Sequence, residues 1–172
     1  MGMACEAYKT EYGSYPRSEK TEAVNGGDAP IDAQRDGNPT TDAFKNASLF
    51  LYVALSGDEN MDGKLTPPDE PSKGYMDFQT NSRMLYGNKD EKGKLSKVLF
   101  LQDPFGNSYG YSTANARQED DFKADAKTMG SKAKRPTTPA GFNPTFDLWS
   151  TGGKVSTSAV TDSDRNAWVK NW

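Results

Sequence analysis

The apolar side chains of this chain fall into a few short segments, and the spacing in each segment predicts its secondary structure. Ala4, Tyr8 and Tyr12 are spaced four residues apart, which places them on one face of a helix. Gly13 and Pro16 follow, and both are typical of a helix end. A helix of only about three turns is not stable alone. We therefore expect it to pack on another element or to continue a longer helix.

A second apolar stripe predicts a helix over residues 42–55. Thr41 or Asp42 can cap its start, and Gly57 can end it. The segment before it, residues 17–40, is rich in Gly, Asp, Asn, Pro and Ser and predicts a long irregular loop. The stripe consists of Phe44, Ala47, Leu51, Ala54 and Leu55.

Alternating apolar residues further along the chain predict short strands. Residues 97–101 form an apolar run, and the turn at 103–107 leads into a strand at 108–112, so an antiparallel hairpin is expected. Residues 142–150 predict another strand, and residues 75–78 a short extended segment. The charged residues 114–135 predict a solvated excursion with a helical turn near 120–129, while Trp168 and Trp172 are expected to fold back onto the domain.

Composition narrows the classes of protein to which the chain can belong. At 172 residues it predicts one domain, 1–172, with a modest core, since only 34% of its residues are hydrophobic. A net charge of −3 argues against a nucleic-acid binder, which needs a basic face. The chain has no histidine, no phosphate-cradling glycine loop and no nucleophile motif, so we do not expect an enzyme. The single Cys5 cannot form an internal disulfide and is expected to be a small buried side chain.

One acidic loop has the spacing of a calcium-binding loop of the EF-hand type. Calcium is surrounded by six to eight oxygen ligands, and a glycine at the sixth position of such a loop makes its sharp turn. Gly63 occupies that position, but Pro67 and Pro68 do not suit the helix that should follow. A polar surface turn is the alternative interpretation. The candidate ligands are Asp58, Asn60, Asp62, the carbonyl of Lys64, Thr66 and Asp69.

Four short segments of the chain form a recognisable layout when taken in order. Residues 12–16 read Tyr-Gly-Ser-Tyr-Pro, and residues 103–111 read Asp-Pro-Phe-Gly-Asn-Ser-Tyr-Gly-Tyr. Residues 147–152 read Asp-Leu-Trp-Ser-Thr-Gly, and residues 171–172 read Asn-Trp. In these segments the chain resembles the major pseudopilins of type II secretion systems, within the type IV pilin-like superfamily. Each motif is weak alone, but their order and spacing together are fairly specific. The central part and the excursion at 114–135 are longer than the family usually has.

The resemblance implies an α+β fold in which an N-terminal helix packs on a small antiparallel β-sheet with long polar loops. It divides the chain into a helix stub at 1–16, a loop region with a second helix at 17–96, and a sheet with a C-terminal loop at 97–172. The residues of the first helix favour the same fold, because a short aromatic-faced helix needs a sheet to bury Tyr8 and Tyr12. Family members begin with a leader that a prepilin peptidase removes before methylating the new N-terminus. We expect a leader and a hydrophobic half-helix upstream of Ala4 in the full-length protein.

The resemblance also implies a second calcium loop, at the C-terminus. In the family, backbone carbonyls just after the Ser-x-Gly strand and later acidic side chains bind the ion. Here Thr151 matches a carbonyl ligand, and Asp162 and Asp164 match the acidic positions. Where the family usually has Asp-Gly, this chain has Gly153 and Lys154, so one carboxylate is missing and a cation is added.

The function implied by the resemblance is structural. Such a subunit assembles by helix packing into a secretion pseudopilus or a type IV pilus-like filament. Its partners are other pseudopilin or pilin subunits and an inner-membrane assembly platform. It is held in the bacterial inner membrane with its head domain in the periplasm, or forms an extracellular filament. The alternative is a calcium-dependent protein- or carbohydrate-binding module that uses the loop from Asp58 to Asp69.

Overall fold

A computed structural model describes residues 1–22, 31–64, 74–78 and 82–172 of the chain. Within these ranges the protein is a mixed α+β fold, as expected. The helices are α1 (Gly2–Tyr12), α2 (Asp42–Ser56), α3 (Ala114–Met129) and α4 (Asp162–Asn166). The strands are β1 (Leu85–Lys89), β2 (Leu95–Leu101), β3 (Gly110–Ser112), β4 (Asp147–Ser150) and β5 (Val169–Lys170), with short 3₁₀ turns at Ser82–Met84 and Gly130–Lys132.

The first two helices begin and end close to where the sequence predicts. The hydroxyl of Thr41 accepts a hydrogen bond from the backbone N–H of Phe44 and so caps α2. Both helices stop at a left-handed glycine, Gly13 after α1 and Gly57 after α2. No helix in the described ranges has a stretch long and apolar enough to cross a membrane.

The strands form two small antiparallel sheets. The first pairs β1 with β2, and the second has the order β3–β4–β5. The predicted hairpin around the turn at 103–107 is therefore only partly correct. A single antiparallel β-bridge pairs Gln102 with Ser108. Beyond this bridge, β3 pairs with β4 instead of β2.

Among the residues that the structure describes, the buried side chains form two groups. The larger group joins Ala4 and Cys5 of α1 to α2 and to strands of both sheets, through residues such as Leu51, Val98 and Tyr111. The smaller group surrounds Trp149 and is made by Ile31, Ala33, Phe44, Ala47 and Trp168. The predicted fold-back of Trp168 and Trp172 is confirmed by their ring contacts with Trp149.

The packing of α1 differs from the expectation in one respect. Ala4 and Cys5, rather than the tyrosines, are the buried residues of this helix. Tyr8 is half-buried and Tyr12 is 60% exposed. The two rings pack on each other and on Tyr75, and Tyr8 also contacts the edge of the larger core group, whereas Tyr12 stays at the surface.

Two further sequence predictions are corrected by the structure. The charged excursion holds a regular helix of 16 residues, α3, of which only Ala114 is buried. Residues 142–146 are not part of a strand, and β4 begins only at Asp147. Residues 74–78, where the sequence predicts a short extended segment, belong to no strand, and Phe78 is buried against the ring of Tyr52.

Ion pairs explain why α3 is ordered without an apolar face. Glu22 is buried between Arg17 and Arg117, and Arg17 also pairs with Asp120 at 2.7 Å. These contacts hold the N-terminal half of the helix against the loop that follows α1. Such a network cannot be read from hydrophobic periodicity, because its partners lie about 100 residues apart in the chain.

Candidate functional site

The residues that carry the pseudopilin resemblance lie together in the fold. Tyr111 donates a hydrogen bond from its hydroxyl to the carbonyl of Pro16, 2.6 Å away. The ring of Phe146 packs on Tyr111 at a centroid distance of 5.8 Å and on Tyr15 at 4.9 Å. The first motif therefore contacts the second directly, and the residue preceding the third motif packs on both. We call Tyr15, Pro16, Tyr111 and Phe146 the motif junction.

A buried carboxylate joins the second motif to the third. One oxygen of Asp103 accepts hydrogen bonds from the backbone N–H groups of Phe105 and Asn107, each at 2.9 Å. Its other oxygen accepts a hydrogen bond from the hydroxyl of Ser150. Asp103 thus shapes the turn and ties it to β4, which explains why this position calls for an acceptor with two oxygens.

The final motif closes the second sheet. The side-chain oxygen of Asn171 accepts a hydrogen bond from the N–H of Leu148 at 2.8 Å, and its amide nitrogen donates to the carbonyl of Phe146. Trp172 and Trp168 pack on Trp149, with ring centroids 6.0 Å away in each case. All four motifs are therefore joined by direct contacts.

Asp147, the first residue of the third motif, is a buried carboxylate that organises the segment 142–147. It accepts hydrogen bonds from the backbone N–H groups of Phe142 and Asn143 and from the side chain of Asn143. Burial raises the pKa of Asp147 to about 6, and the nearby charge of Asp32 acts in the same direction. These contacts explain why residues 142–146 do not continue the strand.

The candidate calcium ligands of the C-terminal loop have other partners. Asp164 accepts hydrogen bonds from the hydroxyl and N–H of Thr161 and completes a capping box at the start of α4. These bonds hold the pKa of Asp164 below its usual range. Asp162 is exposed and pairs with Arg165 at 2.6 Å, while the carbonyl of Thr151 accepts from the N–H of Lys154. A calcium ion here would have to compete with each of these contacts.

The Asp58 loop has a different geometry. The side-chain oxygen of Asn60 accepts from the N–H of Asp62, and that of Asp62 accepts from the N–H of Lys64. The carboxylate of Asp58 is buried and accepts from the N–H of Gly63 at 2.8 Å and from the hydroxyl of Tyr52. Gly63 has a left-handed backbone, as a sharp turn at this position requires. These hydrogen bonds fit a polar surface turn as well as a calcium loop.

Two of the predicted ligands in this loop, Thr66 and Asp69, lie outside the described residues. Across the ranges that are described, no three His, Cys, Asp or Glu side chains are grouped so that they could hold a metal ion. A calcium site built on Asp58, Asn60 and Asp62 therefore stays a prediction that depends on carbonyl oxygens or on ligands beyond residue 64.

Sequence reasoning identified the motif residues but not their contacts. The pattern placed Asp103 in a turn and Asp147 in a strand, and neither assignment predicts a buried carboxylate. The only available signal was an acidic residue beside a mostly apolar strand, which needs a partner if it is buried.

Comparison with known proteins identifies no match among protein-family descriptions, curated proteins or solved structures.

Proposed function

We propose that this chain is the head domain of a filament-forming subunit that resembles the pseudopilins of type II secretion systems. The observation that carries the proposal is the contact between all four resemblance motifs. They are spread from residue 12 to residue 172, yet they meet through Pro16–Tyr111, Asp103–Ser150 and Leu148–Asn171. Motifs that matched by chance would have no reason to form one connected unit.

The arrangement of α1 supports the same role. The helix is anchored by Ala4 and Cys5, while Met3, on another face of the helix, is 87% exposed. One face of α1 thus holds the head and another remains available to a neighbouring subunit. Assembly by helix packing needs both faces, because one fixes the helix to its own domain and the other buries apolar surface between copies.

In this proposal the full-length protein has a hydrophobic half-helix upstream of α1. That segment holds the subunit in the bacterial inner membrane, with this domain in the periplasm, until it joins a pseudopilus or pilus-like filament. The leader is cleaved and the new N-terminus methylated, as in the family. The partners are other subunits and the inner-membrane assembly platform.

The upstream coding sequence is the most direct test. The proposal requires a run of ~20 apolar residues ahead of Ala4, because that length spans a bilayer. It also requires a basic leader before this run and a Glu at the fifth position of the mature protein. A charged, non-helical stretch ahead of Ala4 would contradict the proposal.

Cross-linking of the full-length protein in cells tests assembly itself. We expect Met3→Cys to give cross-linked multimers when a thiol-reactive cross-linker is added, because this exposed face of α1 lies between copies. Lys92→Cys, on the turn between β1 and β2, is the matched control at another exposed position. Equal cross-linking at both positions would point to random collision rather than to an assembled filament.

The geometry of the Asp58 loop supports a second candidate function, a calcium-dependent binding module. Its support is that Asp58, Asn60 and Asp62 are held by hydrogen bonds within residues 58–64, with Gly63 at the turn. An EF-hand loop uses these three positions as ligands. Thermal melting with calcium and with chelator tests this candidate separately from filament assembly.

A further inference from the structure

An open groove of about 530 Å³ lies next to the turn of the second motif. Arg83 and Met84 form one wall, and the other wall consists of Gln102, Asp103, Pro104, Gly106 and Tyr109. Small-molecule and side-chain binding sites have volumes of roughly 300–1,000 Å³. The groove is therefore large enough to hold one or two side chains of a partner.

Hydrogen bonds hold its two walls at a fixed separation. The N–H of Gln102 donates to the carbonyl of Met84, and the side-chain amide of Gln102 donates to the carbonyl of Arg83, each at 2.8 Å. The buried carboxylate of Asp103 fixes the turn that forms the opposite rim. A groove that is formed before binding loses little conformational freedom when a ligand enters.

The polar groups of the groove favour an anion. In the part of the chain that the structure describes, the exposed guanidinium of Arg83 makes no ion pair. The half-buried Tyr109 lies nearby, and burial and the charge of Asp103 raise its pKa, so its hydroxyl stays protonated and can donate. The carboxylate of Asp103 also lines the groove, but both of its oxygens already accept hydrogen bonds.

The apolar groups indicate which anion. Met84, Pro104 and the ring of Tyr109 provide surface for an aliphatic stem next to the cation. A guanidinium binds a carboxylate through two parallel hydrogen bonds. A phosphate site instead gathers several cations or backbone N–H groups, and this groove has one guanidinium.

We propose that this groove binds an acidic side chain, glutamate or aspartate, on the surface of a partner protein. The guanidinium of Arg83 pairs with the carboxylate, the hydroxyl of Tyr109 donates a further hydrogen bond, and Met84 and Pro104 contact the aliphatic part. The proposal does not depend on the filament function, since it is argued only from the side chains that line the groove.

NMR titration of the ¹⁵N-labelled protein with short blocked peptides tests the proposal. The probes are acetyl-Leu-Glu-amide and its neutral counterpart acetyl-Leu-Gln-amide. We expect saturable shifts of the Gln102, Gly106 and Tyr109 amides with the Glu peptide. The Gln peptide should bind about 10-fold more weakly, because it loses the charge-assisted bonds to Arg83.

Three variants measure the contributions of Arg83 and Tyr109 to peptide binding, with Lys92 as the control. Arg83→Gln should weaken binding of the Glu peptide about 10-fold, and Tyr109→Phe should weaken it about threefold through loss of one hydrogen bond. Lys92→Gln removes an exposed cation elsewhere and should leave binding unchanged. Absence of shifts at about 20 mM peptide, or equal affinity for both peptides, would overturn the proposal. Displacement of the peptide by equimolar inorganic phosphate would also overturn it, since it would show a general anion site.

Discussion

The hydroxyl of Tyr111 donates a hydrogen bond to the carbonyl of Pro16, and this bond joins residues 95 positions apart. Pro16 ends the segment that follows α1, while Tyr111 is the central residue of β3. Both groups are buried, so neither can exchange the bond for one to water. This bond therefore fixes where the exit from α1 sits relative to the second sheet.

Tyr111→Phe should lower the free energy of unfolding by about 1–2 kcal/mol, because it leaves the buried carbonyl of Pro16 without a donor. Urea unfolding followed by tryptophan fluorescence measures the change. Tyr15→Phe is the matched control, since its hydroxyl bonds to Glu6 at the surface and its loss should cost less than about 0.5 kcal/mol. Equal losses of unfolding free energy in the two variants would show that the buried Tyr111–Pro16 bond contributes no more to stability than the surface bond of Tyr15.

Gly110→Ala should be strongly destabilising, because a Cβ at this position would lie only 2.2 Å from the ring of Trp149. The ring cannot move aside easily, since Phe44, Trp168 and Trp172 surround it. We expect a loss of about 3 kcal/mol, at the upper end for overpacking. Near-ultraviolet circular dichroism should show an altered tryptophan environment.

Gly2→Ala is the control for this substitution. Gly2 lies in α1, and a Cβ added there would meet no atom within 4 Å. Alanine there should leave stability unchanged or raise it by up to about 1 kcal/mol, because alanine favours helix. A Gly110→Ala variant as stable as this control would contradict the packing described around Trp149.

Asp147 should make the protein less stable as the pH rises from 4 to 7. Its pKa is about 6 in the folded state against an ordinary value of 3.8, so the folded state binds the proton more tightly. The stabilisation is complete below pH 3.8 and is lost as the pH rises through 6. Its size is up to about 3 kcal/mol, from the difference between the two pKa values.

Unfolding of the wild type and of Asp147→Asn at a series of pH values measures this contribution. The two carboxylate oxygens of Asp147 accept hydrogen bonds from two backbone N–H groups, whereas asparagine has only one acceptor oxygen. The variant loses one of these bonds and should therefore be less stable at every pH. The difference in pH dependence between the two proteins is the diagnostic quantity. A difference that does not vary between pH 4 and pH 7 would rule out a raised pKa at Asp147.

Calcium should raise the melting temperature through the Asp58 loop rather than the C-terminal loop. In the first loop Asn60 and Asp62 bond only to backbone N–H groups within residues 60–64, besides an exposed contact of Asp62 with Lys64. In the second loop Asp164 caps a helix and Asp162 pairs with Arg165. Melting in excess calcium and in chelator measures the shift, since a ligand that binds only the folded state stabilises it.

The two loops can be distinguished by single substitutions. Asp62→Asn should abolish the calcium-dependent shift, and Asp162→Asn, at an exposed residue of the other loop, should preserve it. The reverse pattern would assign calcium to the C-terminal loop, as the resemblance implies. The absence of any shift in the wild type would remove the calcium-dependent candidate.

The sequence by itself determined the elements whose signals are local. Helix α2 was predicted within one residue, because its apolar stripe, its Thr41 cap and its terminal Gly57 lie within about four turns of chain. The end of α1 was equally clear from Gly13 and Pro16. The turn at Gly63 was also clear from the sequence, because the side chains of Asp58, Asn60 and Asp62 each bond to a backbone group two to five residues away.

Only the tertiary structure decided the features that rest on distant partners. Helix α3 is ordered by Arg17 and Glu22, which no periodicity within residues 114–135 can reveal. Strand β3 pairs with β4 rather than β2, and residues 142–146 bend around the carboxylate of Asp147. Local propensity depends on neighbours in the chain, but burial of a charge or the choice of a strand partner depends on which residues the whole fold brings together.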